Sequence, residues 1–239
     1  MPRRRIDRTR LLAAIVALAC LGTLGTAATW SGAAVIDAVA VDGGRHVTAT
    51  MAAAVSGLIG TPVFRASALE SRERVRALPA VRDARVAIAL PGTARIELVE
   101  RQAIGRWAAA GTEWFVDAEG VLFASADPTA APELRVQDDR GARKPGDRLD
   151  PALVSVAVRL AAIPAGDLRA DMTRPSVRID PGPAGIVLRS GGRLEIRFGG
   201  PERFDEKLTI VRAYLKNNPD RPLDYVDVAR PDLIVVRPE

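Results

Sequence analysis

The stretch Val81–Gln102, VRDARVAIALPGTARIELVERQ, alternates small apolar with charged residues on both sides of a Pro-Gly pair and ends on Glu100-Arg101. Period-two alternation marks half-buried strands, and two such runs joined by a short turn make a hairpin. Ala84, Val86, Ile88 and Leu90 share a face with Ala94, Ile96 and Leu98, whereas Arg85, Arg95 and Glu97 take the other. Pro91 and Gly92 within the tetrad Leu90 to Thr93 suit a type II turn, whose third residue takes positive φ. One sheet face is therefore solvated and the other needs a cover.

The cover lies upstream. AVAVDGG, from Ala38, reads as a short strand closed by a glycine turn; Val47, Met51, Val55 and Leu58 follow at helical spacing, with Gly60 as the stop. Ser67 and Glu70 form an S-x-x-E capping box for a second helix that Pro79 ends. The order strand, helix, helix, strand, strand predicts a three-stranded sheet with two covering helices over residues 39–100. Its expected core is Val41, Met51, Val55, Leu58, Phe64, Leu78, Val86, Ile88, Ile96 and Leu98.

Residues 101–239 read as a second, β-rich domain with peripheral helices. IGRWAAAGTEWFVDAEGVLFAS gives strands and turns, with Asp117 and Gly120 bracketing a tight loop. DPTAAPELRVQDDRGARKPGDRL, rich in Pro, Gly and charge, reads as an irregular surface loop. A helix follows with Asp150 as N-cap and Pro151 in its first turn, then a strand series punctuated by Asp-Pro-Gly and Gly-Gly. Pro201 opens the last helix at N1, with Phe204, Leu208, Val211 and Leu215 on one face. DYVDVARPDLIVVRPE closes the chain as two strand-like runs about Arg230-Pro231.

Composition removes most site chemistry. The 239 residues hold one His and one Cys, so neither a structural nor a catalytic zinc site can be assembled from His46 and Cys20. His46 lies in a Gly-rich turn and reads as an exposed loop histidine rather than a member of a catalytic triad. No carboxylate pair stands out by context, so no catalytic residue, cofactor or metal ligand is assigned. The pI is near 10.1, but residues 1–10 contribute +4 of the net +5. A near-neutral body with a basic tail does not describe a phosphate-binding surface, which excludes a nucleic-acid partner.

That tail precedes 26 uncharged residues, Leu11 to Ile36, enough for a helix of about 39 Å, longer than a bilayer core requires. Five arginines on its N-terminal side place residues 1–10 in the cytoplasm and the body beyond the membrane, with Trp30 at an interfacial position. Its length favours an uncleaved signal-anchor over a secretory signal cut within TAATWSGAA.

A basic tail, one transmembrane helix (11–36), a β-α-α-β-β unit and a β-rich unit together resemble the FtsQ/DivIB family of bacterial cell-division proteins. VDGGRHVTATMAAAVSGLIGTPVFRAS resembles the family's opening strand and first helix, LPAVRDARVAIALPGTARIELVERQAIGRW its hairpin, and WFVDAEGVLF the Asp-x-x-Gly hairpin after it. LEIRFGGPERFDEKLTIVRAYL and DYVDVARPDLIVVR resemble its late helix and terminal strands. The motifs are ordinary singly; their order carries the likeness. Two positions depart from it: Ala80 stands where the family often has Trp, and Ala229 where a basic residue often follows the Asp-containing strand.

The resemblance implies an α+β protein with a POTRA docking domain at 39–100 and the family's β domain at 101–239. It further implies a non-enzymatic, single-pass inner-membrane scaffold that links early and late division proteins and binds FtsL/FtsB-type bitopic partners. Glu100-Arg101, an exposed ion pair on its sequence alone, would mark the junction between the domains. A terminal strand is expected at a sheet edge, where free N–H and C=O groups invite β-augmentation. The partner-binding residues are then Tyr225, Val226, Asp227, Val228, Arg230, Leu233, Ile234, Val235 and Val236. A membrane-anchored cell-wall enzyme and another exported POTRA-type binding module are the alternatives.

Overall fold

The computed structural model describes residues 15–19 and 34–238, except 131, 165, 171, 174, 192 and 193. Residues 15–19 are helical. The rest of the expected membrane span, apart from residues 34–36, lies outside the described residues, and no described helix is long and apolar enough to cross a membrane. The fold is α+β in two compact units, one of residues 34–44, 48–77 and 83–99, the other of 45–47, 78–82 and 100–238.

In the first unit the elements run β1 (Ala38–Asp42), α1 (Ala49–Ser56), α2 (Ala68–Arg76), β2 (Val81–Ala89) and β3 (Thr93–Glu100). β3 is central, parallel to β1 on one side and beside β2 on the other. Ala94, Ile96 and Leu98 are buried and Thr93, Arg95, Glu97 and Val99 exposed, as period-two geometry requires. Thr48 caps α1 by accepting from the Met51 N–H, and Ser67 caps α2 by accepting from the Glu70 N–H.

Four expectations for this unit need correction. The buried face of α1 is Ala52, Ala53 and Ser56, so Met51 is exposed; small residues let α1 approach α2, whose Arg74 donates to the Ser56 carbonyl at 3.0 Å. That helix ends at Gly57 in the left-handed region, three residues before Gly60. Phe64, expected in the core, is also exposed. The hairpin turn is not type II: the Leu90–Pro91 peptide is cis and Gly92 lies outside the positive-φ glycines. Glycine is needed at 92 for space, since a Cβ there would sit 2.2 Å from the Val35 carbonyl oxygen.

The second unit is built on one mixed nine-stranded sheet. Its strands are β4 (Gly105–Ala109), β5 (Thr112–Val116), β6 (Leu122–Phe123), β7 (Arg135–Asp138), β8 (Ser176–Ile179), β9 (Ile186–Arg189), β10 (Glu195–Gly199), β11 (Leu223–Arg230) and β12 (Leu233–Pro238). The spatial order is β12-β11-β10-β9-β8-β7-β4-β5-β6. One registered row, Trp114-Trp107-Val136-Val177-Leu188-Ile196-Val226-Val236, crosses eight strands. It packs in one core with α3 (Pro151–Ala161) and α4 (Phe204–Asn217). Asp150 caps α3 through the Ala152 N–H. α4 starts three residues later than Pro201 suggests, after Arg203 in the left-handed region.

The stretch read as an irregular surface loop contains β7, an interior strand of this sheet. Val136 and Asp138 are both buried there.

Candidate docking edge

β12 ends the sheet and pairs laterally only with β11 among the described residues. Register splits the nine candidate residues into groups with different surroundings. Val226 and Val228 are core residues of β11, which is flanked by β10 and β12, so their side chains are committed to packing. Val236 pairs with Val226 and joins the core in part. Val235 lies opposite Asp227 and Leu233 opposite Arg230. Leu233, Ile234 and Val235 are 55%, 38% and 42% exposed, a run of large apolar side chains on an edge that proline blunts only at its ends.

The polar face of the sheet carries the remaining candidates. Gln137, Arg178, Val187, Arg197, Asp227 and Val235 are registered across β7 to β12. The Arg197 guanidinium lies 4.0 Å from the centroid of the Tyr225 ring, a cation–π contact that holds the ring in place. Arg197 also donates to Glu195 at 3.0 Å, and Arg189 donates to the same carboxylate. Burial opposes ionisation of Glu195, yet these two guanidinium donors outweigh it and hold the carboxyl below its usual range. Asp227 turns back to accept from the Ala229 N–H at 2.9 Å, beside a register shift between Asp227 and Arg230. Arg230 is exposed, and Ala229 packs where a Cβ on Gly199 would come within 2.8 Å of its own Cβ.

Lys207 of α4, which the sequence does not mark out, supports this edge from behind. Its side chain is buried, with Nζ donating to the carbonyls of Phe198 at 2.8 Å and Gly200 at 3.0 Å. Burial lowers its pKa. The two bonds fix the end of β10, the strand on which β11 is laid.

Two sequence readings elsewhere in this unit are overturned. Glu100 and Arg101 are not an exposed pair. Glu100 accepts from the backbone N–H groups of Arg45, His46 and Val47 at 2.7–2.9 Å. Arg101, with a side chain only 10% exposed, donates to Pro79 O, Asp117 and Glu119. Asp117 also accepts from the Glu119 and Val121 N–H groups, which closes the Asp-x-x-Gly loop. Gly120 there takes positive φ, and a Cβ would meet the Leu149 carbonyl oxygen at 2.3 Å. Replacing Glu100 by Ala strips three adjacent N–H groups of a charged acceptor, and a loss of about 2 kcal/mol in denaturant unfolding is expected.

His46 is the second. It is half-buried, edge-on to Phe115 and Phe123 with ring centroids 5.8 and 5.2 Å away, and its Nδ1 is 2.8 Å from Ser125 Oγ. That hydroxyl also bonds the Asp127 backbone through its C=O at 3.0 Å and its N–H at 3.1 Å, so it ties the imidazole to the turn at residues 125–127. An open depression of about 370 Å³ lined by Glu133, Arg135, Gln137 and Ser176 carries one carboxylate; a smaller one contains Asp180, which accepts from the Gly182 N–H, and Glu195, engaged by two arginines. Among the described residues no cluster of His, Cys, Asp and Glu could hold a metal ion.

No family model matches the chain. Curated relatives do. The chain is 30% identical over 195 residues to a cell division protein FtsQ of Chloroflexus aurantiacus, covering 81% of this chain and 70% of that one. It is 29% identical over 233 residues to the FtsQ of Mycobacteroides abscessus, covering 96% and 70%. To the FtsQ of Caulobacter vibrioides it is 27% identical over 188 residues, covering 77% of this chain and 57% of the relative's length. With likeness of this extent to proteins that share one name, the chain belongs to the FtsQ/DivIB family of cell-division proteins.

Proposed function

We propose that this chain is a non-enzymatic division protein, anchored by the uncharged run that begins at Leu11 and ends before residues 34–36, which pair with the first unit, with its N-terminus in the cytoplasm, and that it docks other division proteins outside the cytoplasm. Its first unit acts as a POTRA-type docking module. Its principal partner, an FtsL/FtsB-type bitopic protein, adds a strand to β12. The observation that carries this reading is the edge itself: β12, whose outer side has no strand partner among the described residues, presents three exposed apolar residues, Leu233, Ile234 and Val235. Main-chain hydrogen bonds supply affinity in such an addition, and alternate side chains such as Leu233 and Val235 supply specificity, with Tyr225 beside them on β11.

Proline scanning tests it. Adjacent residues of an antiparallel strand direct their N–H groups to opposite sides, so of Ile234→Pro and Val235→Pro one removes an outward donor and the other a donor to β11. The variant lacking the outward donor is expected to lose capture of the division partner while thermal unfolding of the chain stays nearly unchanged. Capture that survives both substitutions and deletion of residues 231–239 would move the site elsewhere, with the three-stranded sheet the next candidate.

A further inference from the structure

Phe64 and Leu90 belong to the expected apolar set of the first unit, yet with Ile59 they are among its most exposed large side chains, at 59%, 66% and 59%. All three lie in connections that touch the same short segment: Ile59 just after α1, Phe64 in the 3-10 turn Val63–Arg65, and Leu90 at the hairpin turn. Residues 34–36 pair with the loop after α1: Val63 N–H donates to Ala34 O, Ile36 N–H to Thr61 O and Gly60 N–H to Ile36 O, at 2.8–3.0 Å, around a Val35–Pro62 bridge. The hairpin turn reaches the same place, since Gly92 O accepts from the Asp37 N–H and Gly92 abuts Val35 O. Two loops distant in sequence thus converge on the point where the chain enters this unit from the uncharged run, and each brings exposed apolar side chains there.

We infer that this end of the first unit is a lipid-contacting surface, with Ile59, Phe64 and Leu90 seated in the interfacial layer of the bilayer. The inference rests on the anchoring proposed above. Covalent geometry then limits the occupant: Ala34 is four residues beyond Trp30, so whatever the path between them its Cα is within about 14 Å of that of Trp30. The polar layer on each side of a bilayer is itself roughly 5–7 Å deep, so loops hydrogen-bonded to residues 34–37 are held at or just above it. Amphipathic and aromatic side chains at that depth bury apolar area in the headgroup boundary. Arg65, exposed and without an ion-pair partner among the described residues, follows Phe64 and suits a lipid phosphate. The exposed Asp37 offsets that charge, so apolar burial rather than charge is the leading contribution.

Nitroxide depth measurement tests this on the full chain in vesicles of phosphatidylethanolamine and phosphatidylglycerol. Spin labels go on Ile59→Cys, Phe64→Cys and Leu90→Cys in a Cys20→Ser background, on Ala118→Cys as an exposed reference in the second unit, and on native Cys20. The three loop labels are expected to favour collision with oxygen over a water-soluble nickel chelate several-fold more than the Ala118 label does. Loop labels as accessible to nickel as the reference, with the Cys20 label in the bilayer core, would overturn this inference and leave the anchor intact. A Cys20 label that reads as aqueous would overturn both. Dipolar broadening between loop labels on separate molecules would assign the patch to a second copy of the chain and would likewise overturn it.

Discussion

Replacing Ile96 by Asp will unfold the first unit. Ile96 is fully buried on β3, the central strand, in register with Val41 of β1 and on the same face as Ala94 and Leu98. A carboxylate there has neither water nor a cation, and the cost of burying it, about 4 kcal/mol or more, is a large part of what a module of this size has to lose. Ile88, which the hairpin pattern ranks beside Ile96, is only half-buried near the turn, so Ile88→Asp is expected to cost markedly less. Hydrogen exchange on the full chain reads the outcome by segment: in Ile96→Asp, amides of α1, α2 and β2 lose protection while those of β8 to β10 keep it. Native protection in β3 of that variant would mean that the solvated and buried faces of the hairpin are exchanged.

The hairpin was legible because each of its strands has a wet face and a dry one, and alternation is then written directly into residue type. Thr93, Arg95 and Glu97 against Ala94, Ile96 and Leu98 leave no other register. The last strand pair was legible for a related reason, a β-branched run interrupted by a proline that the interior of a sheet does not tolerate. α1 was harder. A reading that looks for large apolar residues selects Met51, whereas close helix packing selects Ala52, Ala53 and Ser56. β7 offered less still: Arg-Val-Gln-Asp has one apolar residue, and its inward partner to Val136 is a carboxylate. Partnerships across long sequence separations, such as Glu100 with residues 45–47 and Arg101 with Asp117, leave no local trace. The candidate edge lies between these cases. Its β-branched run suggested a strand, but which of its residues face solvent depends on β11 being flanked on both sides.

Asp138, the residue that disguised β7, is expected to be the most costly charged side chain to remove from the interior of this sheet, and acid should erase most of that cost. Its buried carboxylate accepts from Trp107 Nε1 at 2.9 Å, from the Arg140 backbone N–H and side chain at 2.9–3.0 Å, and from Arg143 at 3.1–3.2 Å. Burial by itself would raise its pKa; the hydrogen bonds from Arg140 and Trp107 outweigh it and bring the value down to about 2. A folded-state pKa below the unfolded value of 3.8 means that ionised Asp138 stabilises the fold above about pH 4, and that this stability is lost as pH falls toward 2. The shift corresponds to about 2 kcal/mol. Asp138→Ala additionally leaves the buried Trp107 indole N–H without its acceptor and two guanidinium groups without their anion. The arginines are a quarter to a third exposed and can turn toward water, so the loss at pH 7 is expected near the lower end of the range for a broken buried pair, about 3 kcal/mol. For a unit of this size that lowers Tm by roughly 6–12 °C. Asp138→Asn keeps an acceptor for Trp107 and isolates the charge. Its deficit in urea unfolding should therefore be largest at neutral pH and shrink by about 2 kcal/mol between pH 4 and pH 2. A deficit that stayed constant across that interval would mean that the carboxylate holds β7 by shape and hydrogen bonding alone, with its ionisation contributing nothing.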